Sequence, residues 1–338
     1  MGYAGYILAA GQDWIGGWHK MKRLAILDDY QNVALAMADW ESLRPEVELQ
    51  AFHIAFATED EAAELLRGFE IVVAMRERTA FRQTLLERLP KLKLLVTTGM
   101  RNASIDVKAA NERGIVVAGT NSLPHPTAEL TWGLILALAR SIPHEDAGMH
   151  SGKWQTTVGI GLHGRVLGIL GLGKLGSQVA VIGKAFQMEV IAWSENLTGE
   201  RASSLGVQRV DKEELFRRSD FLTIHTIWSK RTRGLVGTAE LSVMKPTAYL
   251  INTSRGPIVD ERALISVLEN RKIAGAALDV YDQEPLPADH PLRRMDNAVL
   301  TPHLGYVTAE NYRLFYGEAV EDVRAFLAGN PIRVISTA

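Results

Sequence analysis

Short apolar runs alternate with longer segments of helical period along most of the chain. This alternation is typical of βα units that build a parallel sheet. In the first third, the predicted strands are 23–28, 47–52, 70–74, 93–97 and 115–118. A long helix is predicted over 126–140, because Pro126 suits a first helical turn and apolar residues recur at helical spacing after it.

A second series of the same kind follows the long helix. Its predicted strands are 166–170, 188–193, 220–225, 248–252, 275–280 and 297–301. Helices are predicted at 174–186 and 260–270, and a last one at 308–328 ends before Gly329-Asn330-Pro331, which is a strong stop signal. The pattern therefore predicts two α/β units that join near residues 120–126.

Residues 1–20 show no clear period and precede a second Met at position 21. We interpret them as an N-terminal extension outside both domains and expect them to be poorly ordered. No basic residue precedes their apolar stretch, as a signal peptide would require. No apolar run in the chain approaches the roughly 18 residues of a membrane helix, so no membrane partner is expected.

Charge and cysteine content exclude several classes of protein. The 338 residues include 37 basic and 39 acidic side chains, and this balance argues against a nucleic-acid partner. The absence of Cys excludes disulfides, thiolate nucleophiles and Cys-based metal sites. Because no His pair has zinc-motif spacing either, we expect no metal site. The lack of disulfides favours a cytoplasmic location.

A glycine-rich turn joins one predicted strand of the second series to the helix after it. Its Gly171, Gly173 and Gly176 have the spacing that binds the pyrophosphate of a dinucleotide at a helix N-terminus. The flanking strand and helix, with a second strand at the right distance, make the match specific. An ATP-binding P-loop is disfavoured, since Leu175 stands where that motif needs Ser or Thr.

The next strand of this series ends at Trp193-Ser194-Glu195. Glu195 lies 19 residues after Gly176, near the position of the acid that binds the ribose hydroxyls of NAD. The other interpretation is a solvated loop acid, which is common on protein surfaces. Since an acid here repels the 2′-phosphate of NADP, NAD is favoured and NADP stays the alternative.

Arg255, Glu284 and His303 each follow a predicted strand of the second series. Parallel strands end at one edge of their sheet, so all three are expected beside the dinucleotide. An Arg can hold a carboxylate, and a His with a Glu beside it can exchange a hydroxyl proton, which suits hydride transfer at a 2-hydroxy or 2-keto acid. Each alone could instead be a structural residue. His225, which ends another strand at this edge, either flanks the cofactor or caps that strand.

Four segments carry a family resemblance. They are Leu-Gly-Ile-Leu-Gly-Leu-Gly-Lys-Leu-Gly (167–176), Ile-Asn-Thr-Ser-Arg-Gly-Pro-Ile-Val-Asp (251–260), Leu-Asp-Val-Tyr-Asp-Gln-Glu-Pro-Leu (278–286) and Thr-Pro-His-Leu-Gly (301–305). With these segments, the chain from Met21 onward resembles the D-isomer-specific 2-hydroxyacid dehydrogenase family, which includes phosphoglycerate dehydrogenases and glyoxylate/hydroxypyruvate reductases.

The resemblance implies that Arg255 holds the substrate and that His303, with Glu284 as its partner, exchanges the proton. The expected cofactor-binding residues are Gly171, Gly173, Lys174, Leu175, Gly176, Ser194, Glu195, His225, Thr253 and Asp279, the last near the nicotinamide amide. The expected substrate-binding residues are Arg76, Thr98, Gly99 and Met100, which in this family act largely through backbone N–H groups.

The resemblance also implies an α/β fold of two doubly wound parallel-sheet domains. A Rossmann NAD(P)-binding domain, residues 121–304, would be inserted into a discontinuous, flavodoxin-like substrate-binding domain formed by 21–120 and 305–338. The helix from Thr127 would take part in a homodimer through the cofactor domain.

Three positions depart from the family pattern. Ser194 stands where NAD-dependent members usually have Asp, Ile227-Trp228 replaces a Pro-containing turn, and Tyr306 stands where a smaller residue is common. The first departure bears on cofactor preference, the second on the adenine pocket and the third on the substrate side.

We therefore expect an NAD(P)-dependent dehydrogenase or reductase of a small 2-keto or 2-hydroxy acid. The alternative is an NAD-sensing, corepressor-like protein on the same fold with negligible turnover. A formate dehydrogenase is less consistent, since such enzymes have Gln at the position of Glu284. The sequence selects neither the acid nor the direction of the reaction.

Overall fold

A computed structural model describes residues 21–44 and 46–336. The chain divides into two compact units, one formed by the segments up to Thr120 and from Gly317 onward, the other by Asn121–Tyr316. We call them the first and the second unit. The expected N-terminal extension, residues 1–20, lies outside the described residues.

Within the described residues, the first unit contains one sheet of five parallel strands in the order β2-β1-β3-β4-β5. The strands are β1 (Lys22–Ile26), β2 (Val47–Ala51), β3 (Ile71–Ala74), β4 (Leu94–Thr97) and β5 (Val116–Gly119). The helices between them are α1 (Ala34–Met37), α2 (Glu59–Leu66), α3 (Gln83–Glu87) and α4 (Val107–Glu112). This is the flavodoxin-like order. Strands β3 and β4 are buried along their whole length, as is typical of a parallel sheet that helices cover on both faces.

The second unit holds seven parallel strands in the described part of the chain, in the order β12-β11-β10-β9-β6-β7-β8. They are β6 (Val166–Leu170), β7 (Glu189–Trp193), β8 (Gln208–Arg209), β9 (Phe221–Ile224), β10 (Tyr249–Asn252), β11 (Gly275–Leu278) and β12 (Ala298–Leu300). The order reverses between β6 and β9, the point at which Rossmann sheets bind dinucleotides.

The helices from residue 121 onward alternate with these strands. They are α5 (Pro126–Ala139), α6 (Ile142–His150), α7 (Lys174–Ala185), α8 (Gly199–Ser204), α9 (Lys212–Arg218), α10 (Thr238–Ser242), α11 (Glu261–Glu269) and α12 (Ala309–Leu327). Two apolar clusters form the core of the unit, one including Trp132 and Ile169, the other Phe216 and Leu250. Helix α12 begins in the second unit and ends in the first.

The expected fold class is confirmed, and the predicted strands and helices lie within a few residues of the observed ones. Strand β8 is missing from the prediction because Gln208-Arg209 is polar and exposed, so no apolar run marks it. Among the described helices, none is both long and apolar enough to cross a membrane.

In the structure, the second unit ends at Tyr316 and the C-terminal segment of the first unit begins at Gly317. The family resemblance places this boundary at 304/305. Hydrogen bonds account for the difference. The Thr127 hydroxyl donates to the Gly305 carbonyl at 2.8 Å, and the Leu123 N–H donates to Asn311 Oδ1 at 2.9 Å. Residues 305–311 are therefore bound to the start of the second unit.

Candidate active site

The turn between β6 and α7 contains the three fingerprint glycines. Gly171 has φ +104°, and a Cβ there would lie 2.8 Å from the His225 backbone. A Cβ on Gly176 would lie 2.1 Å from the Gly171 carbonyl oxygen. A Cβ on Gly173 would meet no heavy atom within 4 Å. Two glycines are thus required by packing, while the third faces open space.

Helix α7 begins directly after this open position, with Lys174 and Leu175 in its first turn. No side chain caps its first N–H groups, which leaves them available to an anion. The helix dipole adds partial positive charge at the same point. The turn therefore fits the pyrophosphate of a dinucleotide, with Gly173 leaving room for it.

The expected ribose-binding residues follow β7 beside this turn, because the Gly171 N–H donates to the Trp193 carbonyl at 2.9 Å. Ser194 is half-buried and its carbonyl accepts from the Leu197 N–H at 3.0 Å, while Glu195 is exposed. Because Glu195 is exposed in this loop, its carboxylate is accessible at the edge of the sheet.

His225 follows β9, on the other side of the point where the strand order reverses. Its backbone N–H donates to the Leu170 carbonyl at 2.8 Å, and Nε2 of its ring lies 2.5 Å from Thr223 Oγ1. Burial lowers the pKa of His225 to about 4, so the ring is neutral at physiological pH. Its Nδ1 is buried and has no hydrogen-bond partner among the described residues.

His303 and Glu284 form a hydrogen-bonded pair at the same sheet edge. Nδ1 of His303 lies 2.5 Å from Glu284 Oε2, and Glu284 Oε1 accepts from the Tyr281 N–H at 2.9 Å. The side chains are 16% and 29% exposed, respectively. Since Nδ1 is bound to Glu284, Nε2 is the ring nitrogen left to face a substrate.

Asp279 supports the turn that carries His303. Its Oδ1 accepts from the Thr301 hydroxyl and from the Leu304 N–H, both at 2.6 Å, and its Oδ2 accepts from the Gly305 N–H at 2.8 Å. Burial raises the pKa of Asp279, while these donors and His303 oppose the increase. The residue expected near the nicotinamide amide thus binds the 301–305 turn with both carboxylate oxygens.

Arg255 lies in a turn that Asn252 organises. Asn252 is buried, its Oδ1 accepts from the Ser254 N–H at 3.0 Å, and its Nδ2 donates to the Arg255 carbonyl at 3.0 Å. The Ser254 hydroxyl donates to the Thr226 carbonyl at 2.6 Å, which joins this turn to the loop after β9. Thr253 Oγ1 lies 2.8 Å from Thr131 Oγ1 on α5.

The expected substrate-binding residues of the first unit also come together. Arg76 donates through its backbone N–H to Thr98 Oγ1 and through Nη1 to the Thr98 carbonyl, both at 2.9 Å. Gly99 has φ +97°, and its N–H donates to the Thr120 hydroxyl at 2.9 Å. Met100, the next residue, is exposed.

Residues 132–305 match the sequence model of the D-isomer specific 2-hydroxyacid dehydrogenase, NAD binding domain. The chain belongs to this family. The match covers about half of the chain and contains the glycine turn, Arg255, Glu284 and His303. The resemblance seen in the sequence is therefore confirmed, as is the use of NAD(H).

Two curated relatives of this family illustrate the similarity. The chain is 38% identical over 276 residues to a D-3-phosphoglycerate dehydrogenase of Methanocaldococcus jannaschii. The aligned region covers 80% of this chain and 52% of that protein. It is 41% identical over 255 residues to a glyoxylate reductase of Aeropyrum pernix, and this aligned region covers 72% of this chain and 76% of that protein. The chain thus spans about half the length of the first relative.

Among solved structures of the same fold, a phosphoglycerate oxidoreductase from Vibrio cholerae o395 has a TM-score of 0.87 with 37% identity. The similarity covers 91% of this chain and 100% of that chain. Both units are therefore similar to a known structure, beyond the NAD-binding region that the family's sequence model matches.

Asn252 and Ser254 are part of this dehydrogenase-family site and are absent from the residues predicted for it. The signal that could have identified them is an Asn at a strand end, two residues before a backbone N–H that its side chain can bind. Asn252 has that spacing to Ser254.

Proposed function

We propose that this protein is an NAD(H)-dependent oxidoreductase that transfers a hydride between the cofactor and a small 2-keto or 2-hydroxy acid of the D-isomer type. The observation that carries the proposal is the 2.5 Å contact between His303 and Glu284 at the sheet edge that bears the dinucleotide turn. When bound, the nicotinamide supplies or accepts the hydride.

The protein side chains then have separate roles in the proposed reaction. Arg255 holds the substrate carboxylate and polarises the neighbouring carbonyl. In reduction, Nε2 of His303 donates a proton to the carbonyl oxygen, and in oxidation it takes that proton back. Glu284 fixes the ring orientation through Nδ1 and stabilises the imidazolium form.

We propose that the Thr98–Met100 turn, with Arg76 beside it, is a carboxylate-binding element of the first unit. The Thr98 N–H donates to the Ala74 carbonyl at 3.1 Å and the Gly99 N–H to the Thr120 hydroxyl at 2.9 Å, so the Met100 N–H is the donor of this turn proposed to bind the anion. Arg76 lies against this turn, with its Nε 3.6 Å from Glu77 Oε2. The proposal makes the first unit the substrate domain and the second unit the cofactor domain.

We further propose a homodimer formed through the second unit. Four large apolar side chains are exposed on α6 and in the segment after it. They are Ile142 (51%), Met149 (53%), Trp154 (74%) and Val158 (98%). Such a concentration is typical of a protein interface. We also propose a cytoplasmic location, because a chain of 338 residues with no Cys has no disulfide.

The same segment is held against α6 by one carboxylate, which supports a defined interface. Glu145 accepts from the Thr157 hydroxyl at 2.6 Å and from the Thr156 N–H at 3.0 Å. These hydrogen bonds lower the pKa of Glu145 to about 2, so the carboxylate stays charged and keeps its partners at any ordinary pH.

The decisive test is the rate of NADH and NADPH oxidation with glyoxylate, hydroxypyruvate, pyruvate and 3-phosphohydroxypyruvate. We expect turnover of at least one acid, and a His303→Gln variant should lose about 10²- to 10⁴-fold in kcat because the proton donor is gone. His163→Gln, at an exposed histidine, serves as the matched control. Tight NADH binding with no turnover of any acid would favour a sensing protein instead.

A further inference from the structure

The buried hydroxyl of Thr223 and the imidazole of His225 form a pair between the glycine turn and β10. Thr223 lies in β9 and is fully buried. Its Oγ1 is 2.5 Å from Nε2 of His225, and no other hydrogen bond to this hydroxyl exists in the part of the chain that is described. Either atom of this pair can be the donor.

The hydrogen-bond inventory of the pair decides which atom donates. A hydroxyl in a dry site needs an acceptor, since an unsatisfied buried donor costs more than a hydrogen bond returns. The acceptor that Thr223 has is Nε2 of His225. If Nε2 carried the proton instead, both the hydroxyl hydrogen and Nδ1 would be left without a partner.

With Nε2 accepting, the neutral ring carries its proton on Nδ1. Burial keeps the ring neutral, with a pKa of about 4. Nδ1 is buried and unpartnered within residues 21–44 and 46–336. It is therefore a neutral, fixed N–H donor that the protein itself leaves unsatisfied.

The location of this donor points to its acceptor. The His225 backbone is so close to the glycine turn that a Cβ on Gly171 would lie 2.8 Å from it. β9 also borders β6 at the point where the strand order reverses, where dinucleotides bind. Phosphate and ribose oxygens are the acceptors that a dinucleotide offers there.

We infer that Thr223 is a positioning residue that fixes His225 as the neutral Nδ1–H tautomer, so that this N–H donates to an oxygen of the bound dinucleotide. The inference rests on the cofactor site of the proposed function. Thr223 thereby becomes a residue of the cofactor site that lies outside the glycine fingerprint. Since the ring is neutral, the hydrogen bond from Nδ1 to the dinucleotide does not depend on pH in the neutral range.

The test compares Thr223→Val, which removes the hydroxyl while keeping the shape, with Thr223→Ser, which keeps the hydroxyl. Calorimetry on the full-length protein measures the dissociation constants of ADP-ribose and of adenosine. We expect Thr223→Val to weaken ADP-ribose binding about tenfold, and Thr223→Ser to bind as the wild type does. Since Val suits a β-strand, both variants should keep the wild-type circular dichroism spectrum and stay folded at the temperature of the measurement, although Thr223→Val loses some stability because Nε2 of His225 loses its partner.

Adenosine narrows the choice of acceptor. If adenosine binding is unchanged in Thr223→Val, the acceptor belongs to the pyrophosphate or to the second ribose of ADP-ribose, and if it weakens by the same factor, the acceptor is an oxygen of the adenosine ribose. A His225→Phe variant should bind ADP-ribose as weakly as Thr223→Val, and the double variant should be no weaker, because both changes remove the same hydrogen bond.

The tautomer is read independently of binding from ¹⁵N spectra of the histidine-labelled protein, with His225→Phe identifying the signal. We expect protonated Nδ1 in the wild type and in Thr223→Ser. Protonated Nε2 in the wild type, or unchanged ADP-ribose affinity in Thr223→Val, would overturn the inference. A wild type that fails to bind ADP-ribose would refute the proposed function and the acceptor together, whereas the spectrum alone decides the tautomer.

Discussion

Glu284 has one oxygen on His303 and the other on the Tyr281 backbone, so its carboxylate is fixed in orientation. A fixed negative charge beside an imidazole stabilises the protonated ring more than a neutral amide does. The charge of this residue, in addition to its shape, is therefore expected to matter for proton transfer.

Glu284→Gln separates charge from shape, because Gln can still accept a hydrogen bond from Nδ1. We expect kcat to fall about 10- to 100-fold in both directions of the reaction, while NADH affinity stays unchanged. Steady-state kinetics and calorimetry of the same preparation measure the two effects. A Glu284→Gln enzyme with wild-type kcat would show that the carboxylate only shapes the loop.

Asp322 gives the first unit a carboxyl group that prefers its protonated form. Its side chain is fully buried, and its Oδ1 accepts from Arg333 Nε at 2.9 Å. Burial raises the pKa of Asp322 from 3.8 to about 7 against the lowering effect of Arg333. Between these two values the folded protein therefore retains a proton that the unfolded chain releases.

This linkage makes the free energy of unfolding fall as pH rises from about 4 to about 7. The contribution of Asp322 is fully present below the unfolded pKa and is lost as pH rises through the folded one, on the order of 1 kcal/mol per pH unit. Asp322→Asn should flatten this part of the profile, as measured by urea unfolding at pH 5 and pH 8. Glu64→Gln, at an exposed acid of α2, should leave it unchanged. Equal profiles for the wild type and Asp322→Asn would contradict this account.

At the level of elements, the three glycines of the turn between β6 and α7 have different roles. Gly171 and Gly176 are required because backbone atoms occupy the space of a side chain, whereas Gly173 has open space beside it. Stability and ligand binding therefore depend on different glycines of the same turn.

Alanine substitutions should separate these duties. Gly171→Ala should lower the free energy of unfolding by about 2 kcal/mol or more, since it combines a positive φ with a backbone clash. Gly173→Ala should lower it by no more than about 1 kcal/mol, because Gly173 is the N-cap of α7 and Ala is less favourable there, but it should weaken ADP-ribose binding. Urea unfolding and calorimetry measure both quantities.

Gly199→Ala is the matched control for this pair, because a Cβ there also meets no heavy atom within 4 Å and Gly199 opens helix α8. It should alter neither stability nor binding. Wild-type ADP-ribose affinity in Gly173→Ala would show that the open space beside this glycine is not where the pyrophosphate lies.

Elements with continuous apolar runs were predictable from the sequence, and β6, whose bounds agree with the prediction, is an example. Strand β8 was not, because two polar residues carry no periodicity. The Asn252–Arg255 turn was not either, since its order comes from side-chain bonds to backbone groups, which hydrophobic patterning does not record. The strand-end positions of Arg255, Glu284 and His303 were predictable from topology alone, but the 2.5 Å His303–Glu284 contact required the structure.

For the whole molecule, four motifs, the glycine turn among them, were enough to predict the family, because they lie in a fixed order along a parallel sheet. The boundary between units was harder, since residues 305–311 are attached to the second unit by individual hydrogen bonds from Thr127 and Leu123. The choice of substrate stays a question for kinetics, because it depends on loop shapes and not on residue spacing.

The proposed dimer gives a prediction at this scale. Val158→Asp places a charge on the most exposed apolar side chain of the segment after α6, and should convert a wild-type dimer to monomers in sedimentation velocity, because an unpaired charge cannot be buried. Ile54→Asp, at a 70% exposed residue of the first unit, is the control and should stay dimeric. A monomeric wild type, or dissociation in both variants, would argue against this interface.

The first unit also has a consequence for biosynthesis. Strand β5 lies at the edge of the five-stranded sheet, and its outer side pairs with the segment that holds Arg333 and Ile335. The Gly119 N–H donates to the Arg333 carbonyl at 3.0 Å, and the Ile335 N–H donates to the Val117 carbonyl at 2.8 Å. A ribosome makes β5 before residues 121–316 and its cover after them, so the nascent chain carries an open strand edge throughout the synthesis of the second unit. Open edges recruit other strands. A chain stopped just short of residue 333 would keep every residue of the proposed chemistry and still be lost to aggregation.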